Sequence, residues 1–240
     1  FLESKCSKLS PILYLKSQFL PELDPVKKFI FLLLFLSSLP IKEFEPKIIV
    51  TFLFLYIYEY KKKNLKNNKM IASRSPLRIS LGGGGTDLPS YYKRFGGYLL
   101  AGTIDKYIYI NIAKTFNKKF ILKYSKLEIV NNIDKIKHPL FREILKYFRI
   151  KTPLNISSHA DIPSGTGLGS SGCFSVTLIN ALTRLTNKNL SKRQIAELAC
   201  KIEINILKEP VGKQDQYTST FPGINEFIFK KNGFVEIKKL

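Results

Sequence analysis

Apolar positions follow two regimes along the chain, and the change falls at Met70, its only methionine. Upstream, residues 29–36 and 48–58 are apolar runs rich in Phe, Leu and Ile. Both are shorter than the roughly 20 residues a membrane helix needs. Pro40, Lys42, Glu43 and Glu45 keep them from fusing into one span. From Ile71 onward apolar and polar positions alternate in short, readable units. Residues 75–81 read as a strand that ends in the flexible loop Gly82-Gly-Gly-Gly-Thr-Asp87. A helical turn is expected over 88–95, with Pro89 near its start. Two strands follow, at 98–103 and 107–113, and 119–124 reads as a partner for the second. A turn at 131–134 leads to a helix over 138–148, carried by Leu140, Ile144, Leu145 and Phe148. A strand at 154–159 runs into a glycine-rich loop, and an apolar helical stretch occupies 174–185. Ser191-Lys-Arg-Gln194 is a capping box that opens a second helix, with Ile195, Leu198, Ala199, Ile202 and Ile206 on one face. Pro210 and Gly212 end it, and 212–217 reads as a loop. Residues 227–229 and 234–237 form a hairpin about Asn232-Gly233.

These two regimes divide the chain into an upstream segment, 1–69, and one domain, 70–240. The lysine-rich stretch 61–69 between them reads as a solvated linker, and no small-residue cleavage site follows the run at 29–36. The expectation is that Met70 is the natural start and that 1–69 is upstream sequence; a short membrane-associating hairpin is the alternative. Composition changes little else. The formal charge is +21, of which +15 belongs to 70–240 after removing 12 basic and 6 acidic residues. The lysines are scattered, and Lys, Asn and Ile are all abundant, as AT-rich coding produces. No nucleic-acid partner is expected. Three cysteines form no disulfide framework and no metal-ligand spacing, which fits a reducing, cytoplasmic setting.

The chemistry concentrates in Asp161-Ile-Pro-Ser-Gly-Thr-Gly-Leu-Gly-Ser-Ser-Gly-Cys-Phe174. Gly165, Gly167 and Gly169 allow a ligand to approach bare backbone. The helix behind them turns its unpaired N–H groups and positive dipole end toward the loop, which suits phosphate. Gly167 to Gly172 fits G-x-G-x-x-G, but a capped helix lies where a dinucleotide fold needs its acidic strand end. No Gly-Lys-Ser/Thr follows, so this is no P-loop. Ser170 and Ser171 fall in the first helical turn, where a hydroxyl either caps the helix or reaches a nucleotide's magnesium. Glu203 is a second magnesium candidate or a residue at a helix edge. Asp215 is placed to accept a proton from a substrate hydroxyl, or is a turn former. Four consecutive glycines, 82–85, cost enough chain entropy to suggest a ligand on bare backbone, with Asp87 free to bind sugar hydroxyls. Arg78 either offsets phosphate charge or is a strand-surface residue.

Taken together, these residues resemble the GHMP kinases, over about residues 71–240. The first family motif is similar to Ser75-Pro-Leu-Arg-Ile-Ser-Leu-Gly-Gly-Gly-Gly-Thr-Asp87, and the second, more specific, to Pro163-Ser-Gly-Thr-Gly-Leu-Gly-Ser-Ser171. The resemblance implies an α+β fold, a ribosomal-protein-S5-like N-terminal domain. It implies ATP along Pro163, Gly165, Thr166, Gly167, Leu168, Gly169, Ser170 and Ser171, with Mg2+ at Ser171 and Glu203. Asp215 and Arg78 fall on the family's catalytic positions, and Gly83, Gly84, Gly85, Thr86 and Asp87 on its sugar-binding loop. Galactokinases carry Gly-Glu-His-Thr-Asp where this chain has Gly83-Gly-Gly-Thr-Asp87, which speaks against galactose. The all-glycine loop and Glu209-Pro-Val-Gly-Lys-Gln-Asp-Gln-Tyr217 resemble the subgroup acting on heptose 7-phosphate. The implied reaction moves the ATP γ-phosphate to that sugar's anomeric hydroxyl, for nucleotide-heptose synthesis. The family's third, glycine-rich motif and its ferredoxin-like C-terminal domain are not found, so a front portion of a kinase is expected. Alternatives are a kinase for another sugar, such as fucose, and an inactive nucleotide-binding fragment. Oligomeric state is left open.

Overall fold

A computed structural model describes residues 70–115 and 118–240, all within one compact unit, Asn68–Leu240. The expectations for residues 1–69 lie outside the described residues. One long strand organises the rest. β1 (Ile71–Gly82) pairs antiparallel along most of β2 (Gly97–Lys114), and α1 (Pro89–Phe95) bridges them, with Pro89 in its first turn. The two strands read at 98–103 and 107–113 are thus one. Asp105 and Lys106 break the apolar pattern only because they stand exposed at an irregularity in the ladder. Between Pro76 and Arg78, β1 advances two residues while β2 advances four.

The other edge of β2 is shared. Its first part pairs with β6 (Ile224–Phe229) and its last part with β5 (Leu154–Ala160), both antiparallel. β3 (Phe120–Lys123) therefore finds that edge occupied. It pairs parallel to β5 and antiparallel to β4 (Leu127–Val130), a strand the sequence reading missed, rather than to β2 as expected. The order is β4-β3-β5-β2-β6-β7, with β1 on β2 and β7 (Val235–Lys239) closing the hairpin with β6.

The helices α2 (Pro139–Tyr147), α3 (Ser170–Leu185) and α4 (Lys192–Cys200) belong to the core with the inward residues of the sheet. α3 is buried almost all round, from Gly172 to Ile179, which fits its position among sheet and neighbouring helices. The capping box at Ser191 and Gln194 forms as expected. Beyond Cys200 the helix continues as a π-helical segment, Lys201–Ile206. A wider turn rotates the buried face by about one residue. Ile206, expected inward, is 44 % exposed, while Leu207 packs on the core and Glu203 is 1 % exposed. The stretch read as a loop at 212–217 contains the start of a helix, α5 (Gln214–Thr220). Its Gln-Asp-Gln-Tyr-Thr-Ser-Thr sequence has little helix propensity. Burial of Gln216 through Thr220 holds it instead. Among the described residues no helix is long and apolar enough to cross a membrane.

Candidate active site

The glycine loop connects β5 to α3, and Gly165, Gly167 and Gly169 all take positive φ, at 87°, 74° and 75°. Gly169 is the helix N-cap, in a left-handed conformation with no side-chain cap. The first bond closing α3 runs from the Cys173 N–H to the Gly169 carbonyl. The N–H groups of Ser170, Ser171 and Gly172 therefore have no intrahelical acceptor and form the positive end of a helix of 16 residues. Pro163, Gly165, Thr166 and Gly167 are exposed along the loop. Thr166 Oγ1 donates to the Pro163 carbonyl at 3.3 Å, while Leu168 packs against the core.

Arg78 braces this loop from β1. The irregularity beside Leu77 turns both Leu77 and Arg78 toward the buried side, where strict alternation would bury only one. The Arg78 N–H donates to the Leu168 carbonyl at 3.2 Å and its Nη1 to the Gly167 carbonyl at 2.7 Å. Nε and Nη2 both donate to Asp215 Oδ1, the former at 2.7 Å. Arg78 is 8 % exposed, so it is no strand-surface arginine. Burial pushes the Asp215 carboxyl above the usual aspartate range; Arg78 opposes this, and the charge of Asp87 adds to it.

Glu203 sits beneath the start of α3. Ser171 Oγ donates to its Oε2 at 2.8 Å, and Gln216 Nε2 to its Oε1 at 2.9 Å. Desolvation raises its pKa, against the pull of those two donors. The π-helical turn is what brings it inward, so it is an interior carboxylate and not a residue at an exposed helix edge.

The acceptor-side loop is more self-contained than expected. Gly83 is required by the fold's own backbone, because a Cβ there would lie 1.9 Å from the Tyr98 carbonyl oxygen. Gly84 and Gly85 do face open space, with nothing nearer than 3.4 Å. Thr86 Oγ1 donates within reach of the Gly83 and Tyr98 carbonyls and accepts the Tyr98 N–H at 3.0 Å, fastening the loop to β2. Asp87 is 1 % exposed; its Oδ1 accepts the Gly85 N–H at 3.2 Å and its Oδ2 the Gln214 N–H at 3.0 Å.

Asp87, Arg78 and Glu203 thus converge on the first turn of α5. Three consecutive residues reach three different parts of the site: Gln214 to Asp87, Asp215 to Arg78 and Gln216 to Glu203. Gln214 and Gln216 were not singled out in the sequence, and no periodicity marks them. Magnesium fits the residues present as a shared ligand. The Ser171 hydroxyl and Glu203 carboxylate are hard oxygen donors, and Gln216 Oε1 beside them is buried without a partner. Among the described residues no group of three or more His, Cys, Asp and Glu could hold a metal.

A glycine-rich loop at a helix start, with a buried Arg–Asp pair against it on an α+β sheet, is the arrangement that the described residues present. Residues 131–223 match the family described as "GHMP kinases N terminal domain", and the described residues fold as such a domain. The chain is 36 % identical over 185 residues to the D-glycero-alpha-D-manno-heptose 7-phosphate kinase of Campylobacter jejuni, covering 72 % of this chain and 54 % of that protein. A solved D-glycero-D-manno-heptose 1-phosphate kinase from Bacteriodes thetaiotaomicron superposes with a TM-score of 0.66 at 27 % identity, over 71 % of this chain and 60 % of that one. A putative sugar kinase from Campylobacter jejuni does so with a TM-score of 0.59 at 32 % identity, over 72 % and 56 %. The chain spans about half the length of the curated relatives it matches.

Proposed function

We propose that this domain carries the phosphate-binding and acceptor-orienting residues of an ATP-dependent kinase for a heptose 7-phosphate. The observation that supports it most is the meeting of three groups on one turn of α5: the anion loop, Arg78 with Asp215, and the Glu203–Ser171 pair. In this reading ATP phosphates lie against the N–H groups from Gly165 to Ser171. Magnesium, held by Ser171 and Glu203 with the phosphates, supplies charge neutralisation when bound. Arg78 holds the loop carbonyls and adds positive charge at the transferring group. Both guanidinium bonds land on Asp215 Oδ1, which leaves Oδ2 to orient the attacking anomeric hydroxyl and take its proton. Burial raises the basicity of that carboxylate, which favours the proton transfer. Gly84, Gly85 and Asp87 form the acceptor side, and the likeness to heptose phosphate kinases favours that sugar class over free sugars such as fucose. We place the reaction in the cytoplasm, where ATP is at hand.

The test is an ADP-release assay over heptose 7-phosphate, fucose and galactose, with Asp215→Asn beside the parent chain. We expect turnover with heptose 7-phosphate, and in the variant a loss of at least about 10²-fold with ATP binding retained. Turnover confined to a free sugar would overturn the substrate assignment. ATP binding without turnover in either form would favour a nucleotide-binding role alone.

A further inference from the structure

We propose that Lys213 is the positioning residue of this site, its ammonium fixing where α5 begins and so where Asp215 points. The proposal rests on the kinase reading above for its consequence, though not for its geometry. Lys213 is the N-cap of α5 and is 8 % exposed, rare for a lysine. Its Nζ donates to both oxygens of Glu197, at 3.1 and 3.2 Å, and to the Gly233 carbonyl at 2.8 Å. It also lies 5.9 Å from the ring centres of both Tyr92 and Tyr217. Tyr217 in turn donates its hydroxyl to Glu197. One buried ammonium therefore ties together α1 through Tyr92, α4 through Glu197, the β6–β7 turn through Gly233, and α5 itself.

The neighbours of Lys213 show what the tie controls. Gly212 has Asp87 against it so closely that a Cβ would lie 1.8 Å from Oδ2. Gln214 gives its N–H to that same oxygen, and Asp215 takes the Arg78 guanidinium. Gly212 and Gln214 thus lean on Asp87 in the glycine loop after β1, and Asp215 on Arg78, which braces the 163–169 loop. Only the Lys213 anchor runs to elements remote from the loops. Burial of Gln216 through Thr220 holds the body of this seven-residue helix of weak propensity, but its first residues otherwise rest only on Asp87 and Arg78, beside those loops. A desolvated lysine that would otherwise be an unpaired buried charge holds it firmly.

The experiment compares Lys213→Met, Lys213→Arg and Glu197→Gln with the parent chain. Turnover and amide hydrogen exchange at Gln214 to Tyr217 are both read. In Lys213→Met we expect kcat to fall on the order of 10²-fold, with KM for ATP within about threefold, because a displacement near 1 Å has that effect on an aligned reaction. Lys213→Arg recovers at least about tenfold of the loss, since it keeps a cation against the Glu197 carboxylate. Exchange at Gln214 to Tyr217 accelerates at least about tenfold while α3 and β2 keep their protection. Unchanged exchange at those amides overturns the proposal whether or not the chain turns over any sugar. Faster exchange with kcat unchanged overturns its catalytic consequence. If Lys213→Met fails to fold, Glu197→Gln carries the same readouts. Absence of turnover in the parent chain would count against the kinase reading and leave the exchange result to decide the positioning.

Discussion

Replacing Gly172 with alanine separates two physical effects at the point where α3 meets α5. Gly172 lies in the first turn of α3, and a Cβ there would sit 2.5 Å from the Asp215 Cβ and 3.0 Å from the Gln216 nitrogen. Ordinary contact begins at 3.4 Å, so α5 must retreat by about 0.9 Å. By helix propensity alone the change stabilises the protein, by at most about 1 kcal/mol. Overpacking against backbone costs about 1–3 kcal/mol. The obstacle is main chain and a Cβ, not the far end of a flexible side chain, so the second effect wins. We expect a net loss of about 1 kcal/mol, seen as a fall in Tm of about 2–4 °C for a domain of this size. The larger consequence is for turnover. On the proposed kinase reading, a retreat of that size carries Asp215 away from the loop, and we expect kcat to fall on the order of 10²-fold with nucleotide affinity nearly kept. Differential scanning calorimetry and the ADP-release assay read the two arms. A raised Tm with unchanged kcat would refute the reasoning, because it would mean the α3–α5 contact is soft.

Two further predictions concern other parts of the domain. Glu128 is buried, which alone would raise its pKa, but bonds from the Tyr124 hydroxyl and the Lys137 and His138 N–H groups outweigh this and lower it below 4.5. Its stabilisation is present above that ordinary value and is lost as pH falls through the depressed one. Glu128→Gln should therefore lower Tm at pH 6 and flatten the acid limb of a Tm-versus-pH curve below about pH 4.5, and parallel curves for the two proteins would refute it. Burial raises the Cys173 thiol to about 11, and that of Cys200 rises well above the usual range for the same reason. Neither should react with a thiol reagent at pH 8 in the folded protein and both should in guanidinium, as peptide mass spectrometry would read; fast native labelling at either would contradict the burial.

Much of the site was legible along the chain because it is built from local devices. The glycine loop, the two hydroxyls at the start of α3 and the Ser191 capping box each depend on residues a few positions apart, so spacing reveals them. The hairpin about Asn232-Gly233 is of the same kind. Other features arose only from packing between distant segments. β2 is a single strand because β1 pairs across the polar break at Asp105 and Lys106. β3 pairs with β5 because the edge of β2 was already taken. Arg78 points inward because a ladder irregularity between two strands re-aims it, and Glu203 because a π-helical turn rotates its face. The helix around Asp215 has no sequence signal, since burial and the anchors at Asp87, Glu197 and Gly233 supply what its propensity lacks. Sequence by itself determined the glycine loop and the chemical identity of its neighbours, because backbone geometry there follows from glycine and helix-end physics. Which carboxylate stands where was decided only by tertiary structure, since burial and pairing belong to the whole fold and not to any window of it.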